Sequence, residues 1–430
     1  MLFRLPHIGP FFRSDINRRN YWLGVANGAL MSGSDAFTEP YLVLTLFVSL
    51  LTDSKFIIGL VAPLSVGGWY LPQLLFSGAI QRLPRKMPVY TVVTILRVVG
   101  WGIIALLLWF VRSPSVLLVA FLMLLLAIRL AEGAAGLAFM DIVAKVIPPR
   151  RRGSFFGTRL LLGGLLALAA SVAVGLILSN PGDWDFPYPF ALLFTIYIFV
   201  MGPASATFNW IKEPAGEVVQ RQSGVVQQMR RASFVLSHDR TLRFFLVARV
   251  LMVIANMAMP FYIIFARERL HAPTGLVGVY LATLTLVGLL SNIWAARISD
   301  GIGNRRLLLL SCLVGMAAPA LALMFDLIRV APVLFALVFA LNGVYNNASA
   351  IAHLNFLLDA APPDDRPLYV GVANTLVGVG ILASSIGGAL AQWLGMDILF
   401  GVALLAFAAA VVVLVKMQEP SRPLQENTEG

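Results

Sequence analysis

The sequence predicts an all-α membrane protein: twelve transmembrane helices in two pseudo-symmetric six-helix bundles. Three observations carry this expectation. First, the 430 residues are 59% hydrophobic and only 12% charged, against about 45–50% apolar and about 25% charged in soluble domains. Second, there are twelve apolar runs near the length of about 20 residues that a span requires. They cover roughly 21–50, 56–80, 89–111, 115–147, 156–179, 189–211, 244–266, 275–297, 307–328, 333–357, 369–393 and 397–416. Most are continuous rather than alternating, which fits lipid-facing helices and not barrel strands. Third, Pro148-Pro149-x-x-Arg152-x-x-Phe155-x-Gly157 recurs as Pro362-Pro363-x-x-Arg366-x-x-Tyr369-x-Gly371, offset by 214 residues and following the fourth and tenth runs.

Charge placement sets the topology. With the N-terminus inside and sides alternating, inner segments hold 24 Lys and Arg and outer segments 5, with Arg97, Arg129 and Arg249 inside spans. That bias puts both ends in the cytoplasm, in a cytoplasmic (inner) membrane. It also accounts for the net charge of +11 without nucleic acid. The single cysteine, Cys312, excludes disulfides and Cys-based metal sites. No removable signal peptide is read before the first run. The expected order is an inner segment 1–20, a bundle 21–211, a linker 212–243, a bundle 244–417 and a tail 418–430. Val218, Val219, Val225, Val226 and Met229 recur among Arg and Gln in the linker, as in an interfacial amphipathic helix or a plain solvated connection.

Polar groups inside the spans come in order along the chain. The first span carries Asp35 and Glu39, four apart and on one face, between Ser32-Gly33-Ser34 and Pro40. Two carboxylates one turn apart repel at low dielectric, which suits a proton carrier. Arg97 stands alone in the third span. The fourth carries Arg129 and Glu132, where a charge costs roughly 2.5–3.5 kcal/mol on insertion scales. Arg129 pairs with its own helix neighbour Glu132, or reaches Asp35 across a cavity. The seventh carries Arg249 and Asn256 on one stripe before Pro260, and Arg249 also stands close enough to the inner surface to snorkel. The tenth carries Asn342, Asn346, Ser349 and His353 at spacings of 4, 3 and 4. That stripe serves a solute, or interhelical packing at about 0.6 kcal/mol per bond. Glycines such as Gly163-Gly164 and Gly387-Gly388 let helices approach.

These residues resemble the major facilitator superfamily over nearly the whole chain. Ala296-x-x-x-Asp300-Gly301-Ile302-Gly303-Asn304-Arg305-Arg306 resembles the family's signature after the eighth span. Gly78-Ala79-Ile80-Gln81-Arg82-Leu83-Pro84-Arg85-Lys86 keeps its basic residues but not its acid. Arg129-x-x-Glu132-Gly133 is similar to the Arg-x-x-Gln-Gly signature of the fourth span, and the Gly-Pro element of many drug antiporters is absent. The resemblance implies a cavity lined by the first, fourth, seventh and tenth spans. It implies gating roles for Asp300, Gly303 and Arg305, and Arg152 and Arg366 read as gating or structural on the inner side.

The expected function is secondary active transport of a small organic solute by rocking of the two halves, proton-coupled and directed outward, by a monomer in the bilayer without cofactor or metal. The candidate solute- and proton-binding residues are Asp35, Glu39, Arg129, Glu132, Arg249, Asn256, Asn342, Asn346 and His353. The alternative is a passive uniporter or lipid-handling facilitator. An enzyme is not expected: there is no Walker-type phosphate loop, no His-Glu-x-x-His and no nucleophile elbow.

Overall fold

The computed structural model describes residues 15–180, 182–216, 234–328, 330–362 and 366–417. The linker run expected to be an interfacial amphipathic helix or a plain solvated connection, 218–229, is outside the described residues. The first span is helix Asp15–Asp35, a 3-10 turn Ala36–Thr38, a π-helical turn Pro40–Leu44 and helix Thr45–Ser49. The second to sixth are Lys55–Gln81, Met87–Phe110, Pro114–Val146, Pro149–Leu178 and Tyr188–Asn209. The seventh is Arg240–Ala255, a 3-10 turn Asn256–Ala258 and Met259–Arg269. The eighth and ninth are Leu276–Ile302 and Asn304–Ile328. The tenth is Ala336–Ala360 after a 3-10 turn Pro332–Phe335; the eleventh is Arg366–Ala383 with Ile386–Trp393, and the twelfth is Met396–Lys416. The third to twelfth are long and apolar enough to cross a membrane. The second supplies the apolar stretch Lys55–Tyr70, and the first is divided by its turns.

Helices outlast the hydropathy that marks them. The first begins at Asp15, before its apolar run, because its polar turn has partners. Arg19 Nη2 donates to the Trp210 carbonyl at 3.2 Å and Asn20 exchanges bonds with the Lys212 backbone. The first and seventh spans break alike, at a 3-10 turn just before Pro40 and Pro260. Proline has no N–H to give and its ring collides with the carbonyl four residues back.

The core explains how the two halves meet. We call inner the face carrying both termini. Toward the outer face one apolar cluster joins both halves, with Phe47, Trp101, Phe121 and Phe194 from the first and Phe261, Phe265, Phe335 and Phe400 from the second. Toward the inner face the core divides into two. Tyr21, Tyr90, Ala138 and Phe155 belong to one cluster, and Phe245, Leu308, Phe356 and Leu414 to the other. Glycine allows the outer contact. A Cβ on Gly59 of the second span would lie 2.6 Å from the Gly388 Cα of the eleventh, and Gly175 meets Gly278 backbone to backbone. Polar contacts bridge the halves at the same outer ends: Lys55 with Glu268 at 3.0 Å, Ser54 and the Phe56 N–H with Gln392, Arg267 with Ser49, and Thr274 with the Leu178 carbonyl. On the inner side Gly157 and Gly371, equivalent members of the repeat, face open space. The halves are thus sealed outside and parted inside. Large apolar side chains such as Leu96, Phe110, Met123, Phe199 and Leu327 are exposed on the helices, where acyl chains cover them.

Candidate functional site

The N-terminal half holds a chain of four charges across three spans. Arg97 Nη2 of the third span donates to Asp35 Oδ1 of the first, and its Nε donates to the Tyr197 hydroxyl of the sixth. Glu132 Oε1 of the fourth span lies 2.8 Å from Arg97 Nε but off that N–H direction, so this contact is ionic. Glu132 Oε2 accepts from Arg129 Nη1 at 2.9 Å. The order is Asp35–Arg97–Glu132–Arg129, signs alternating. Burial is uneven: Arg97 and Glu132 side chains are 5% and 8% exposed, whereas Asp35 is 47% exposed.

This decides between the two expected pairings of Arg129. Arg129 does not reach Asp35; it pairs within its own helix, and Arg97 takes Asp35 instead. Arg97 springs from the third span at the level of Asp35, so it fills the position between the first and fourth spans. Its signal in the sequence was a lone arginine amid apolar residues, costly unless paired. Arg159, counted by sequence with the inner loops, lies inside the fifth span. Its Nη1 donates to the Gly24 carbonyl at 2.9 Å and to Asn27 Oδ1 at 3.0 Å, and its guanidinium covers Phe139. With Arg97, Glu132, Trp69 and Tyr90 it lines a cavity within this half.

Glu39 serves the break. Its carboxylate accepts from the Leu42 N–H at 2.6 Å, and its carbonyl accepts from both Val43 and Leu44. The Leu44 bond, five residues on, is the π-helical one, a form frequent at functional sites.

A second cavity lies between the halves. It is lined by Tyr41 and Tyr70 from the first, and by Arg249, Asn256, Tyr345, Asn346 and Ser349 from the second. Arg249 Nη1 lies 3.0 Å and 3.1 Å from the two His353 ring nitrogens. His353 Nδ1 also meets the Ser349 carbonyl. A carbonyl only accepts and a guanidinium only donates. The pattern is therefore a neutral ring: Nδ1–H to Ser349, Nε2 accepting from Arg249. The polar stripe of the tenth span is divided in use. Asn346 and Ser349 face the cavity, while Asn342 is buried with its Nδ2 on the Val338 carbonyl at 2.8 Å, outside the cavity lining.

The inner ends carry the expected gating residues. Gly303 has φ of +99°, a conformation that side chains resist, so it makes the turn between the eighth and ninth spans. Arg305 donates to the Leu414 and Val415 carbonyls at 2.9 and 2.7 Å, holding the end of the twelfth span. Asp300 is exposed at the end of the eighth. Arg152 donates to the Ala144 and Ile147 carbonyls and closes the fourth helix. Arg366 opens the eleventh helix; its side chain is outside the described residues. The missing acid of the first-half signature is supplied from elsewhere. Glu213, after the sixth span, accepts from the Lys86 and Met87 N–H groups at 2.9 and 2.8 Å and pairs with Lys145 at 2.9 Å, which also meets Asp141 at 2.7 Å. In the second half Asn355 donates to Ser299, Ser299 to Asn304 and Asn304 to Asp359.

Two half-bundles sealed at one face, with buried ions around the cleft that parts them, define a two-lobed membrane carrier. A model of the Major Facilitator Superfamily matches residues 25–328 and 244–430, and the chain belongs to that family of transporters. No match is found among curated protein sequences. Solved structures share the fold. A D-xylose–proton symporter aligns with TM-score 0.70 at 14% identity over 94% of this chain and 99% of its own. A bacterial homologue of the iron transporter ferroportin, in an inward-facing state, gives 0.70 at 14% identity over 93% and 98%. The nucleoside transporter NupG gives 0.65 at 15% identity over 94% and 98%.

Proposed function

We propose that the chain moves a small organic solute across the cytoplasmic membrane by alternating access, coupled to protons through Asp35. The observation that carries this reading is the Asp35–Arg97 pair: an acid with about half its side chain open, bonded to a guanidinium that is almost wholly enclosed. A proton on Asp35 cancels its charge and leaves Arg97 to Glu132 and Tyr197. Asp35 ends the first helical segment just before its break, so its protonation changes what ties that segment to the third and fourth spans. The solute occupies the cleft between the halves, and rocking about the sealed outer face exchanges access. The chain acts as a monomer, both lobes being on one polypeptide, and exports its solute.

The test begins with a thermal-shift screen of the purified protein against metabolite and drug panels at two pH values. Proteoliposomes then report solute uptake and internal pH together. Wild type is expected to accumulate solute uphill in a lumen made acidic relative to the outside, protons leaving as solute enters, and Asp35→Asn to lose proton movement. Uphill accumulation by Asp35→Asn equal to wild type at every gradient would remove Asp35 from coupling. Failure of wild type to accumulate solute would leave a passive carrier, and accumulation only inside right-side-out vesicles would reverse the direction.

A further inference from the structure

Two cations of the middle layer, Arg159 and Arg249, have no carboxylate partner among the described residues, and only Arg249 lines the cavity between the halves. Arg97 and Arg129 share Asp35 and Glu132. Arg159 is bound by a backbone carbonyl and an amide within its own half. Arg249 differs from all three. It lines the cavity between the halves and is the only ionised side chain among the lining residues. Its Nη1 is held by the neutral His353 ring, and its Nε and Nη2 have no partner among the described residues. The rest of the polar lining is uncharged: amides at Asn256 and Asn346, and hydroxyls at Tyr41, Tyr70, Tyr345, Ser349 and Ser384. A guanidinium in such a place is stabilised most by a planar or tetrahedral oxyanion, which takes two of its N–H groups at once.

We propose that the solute is an organic anion whose acidic head, a carboxylate or phosphate-type group, docks on Arg249 while an uncharged, hydrogen-bonding body lies against the tyrosines and amides. This rests on the transporter reading and names the chemistry of its solute. His353, tied to the Ser349 carbonyl, holds Arg249 Nη1, and Arg249 itself lines the cavity. Cations are excluded by the same charge. Neutral solutes leave the guanidinium unpaired and bind weakly by comparison.

The experiment is titration calorimetry on the full chain in detergent, supported by thermal shift. The probes are benzoate and lactate, glucose 6-phosphate, D-xylose and tetraphenylphosphonium. At least one anionic probe is expected to bind, and neither D-xylose nor tetraphenylphosphonium. Arg249→Gln is expected to weaken the anion at least tenfold, and Arg249→Lys less. Asn256→Asp keeps the guanidinium but adds a carboxylate to the same cavity, and is expected to weaken the anion at least tenfold with an unchanged melting point, so loss of binding is separable from loss of fold. Carboxylate and phosphate arms distinguish the head group. Tightest binding by the neutral or cationic probe, anion affinity unchanged in Arg249→Gln and Asn256→Asp, or no binding by any anionic probe each overturns the proposal. Anion binding without uphill accumulation would sustain this inference while refuting proton-coupled transport; uphill transport of a neutral solute would do the reverse.

Discussion

Replacing Arg97 by alanine tests the charge chain at its centre. The substitution removes the guanidinium that touches Asp35, Glu132 and Tyr197. Breaking a buried ion pair by removing one partner costs about 3–5 kcal/mol, because the other charge is left in a poor medium. Glu132 is 8% exposed but keeps Arg129 at 2.9 Å, which places the loss near the lower end, about 3 kcal/mol. Asp35 is 47% exposed, so water screens it and its share is about 1 kcal/mol or less. Asp35→Asn is accordingly expected to cost much less than Arg97→Ala. The double variant Arg97→Met with Glu132→Gln removes both charges and is expected to be more stable than the sum of the single losses, with a coupling of about 1–3 kcal/mol. The assay is equilibrium unfolding in mixed micelles, followed by tryptophan fluorescence. Arg97→Ala costing no more than Asp35→Asn, or strictly additive losses in the double variant, would refute the assignment of Arg97 as the buried hub.

Three further outcomes follow from the same geometry. Gly388→Val puts a side chain against the Lys55 and Phe56 carbonyls and is expected to pry the outer ends apart; spin labels on the outer ends of the second and eleventh spans should report longer distances, and unchanged distances would contradict the seal described above. Glu213→Gln removes the charge that gathers Lys145 and two backbone N–H groups; a loss of about 2 kcal/mol is expected, measured by unfolding, and a loss under a quarter of that would mean the cluster is slack. Gly303→Ala forces a side chain into φ of +99° and should cost about 1–2 kcal/mol, read as a lower melting temperature; a variant as stable as the native chain would show that the turn adapts freely.

The sequence was sufficient for whatever depends on water, lipid and chain order. Continuous apolar runs fixed where helices lie, since unpaired backbone cannot cross hydrocarbon. Pro40 and Pro260 marked the breaks, and the doubled Pro-Pro motif marked the two-fold repetition. Ions inside spans marked where buried charges gather, because each is costly without a partner. Helix ends were less legible: Asp15 and Arg240 belong to helices through caps and contacts that hydropathy does not register, Asp239 for example accepting from the Leu242 N–H at 2.9 Å.

Only the packed structure decided which charges meet. Spacing on one helix suggests Arg129 with Glu132, but whether Asp35 meets Arg97 or Arg129 depends on how three helices are placed side by side, and no periodicity records that. Glu213 replaced an acid that the local motif lacks, from a point more than a hundred residues away in the chain. Arg249 meets a histidine ring and lines the cavity between the halves, a placement that only the packing of the seventh span against the tenth sets. Hydrophobicity is a property of each residue and reads directly from the chain; electrostatic pairing is a property of distances between residues, and folding alone sets those.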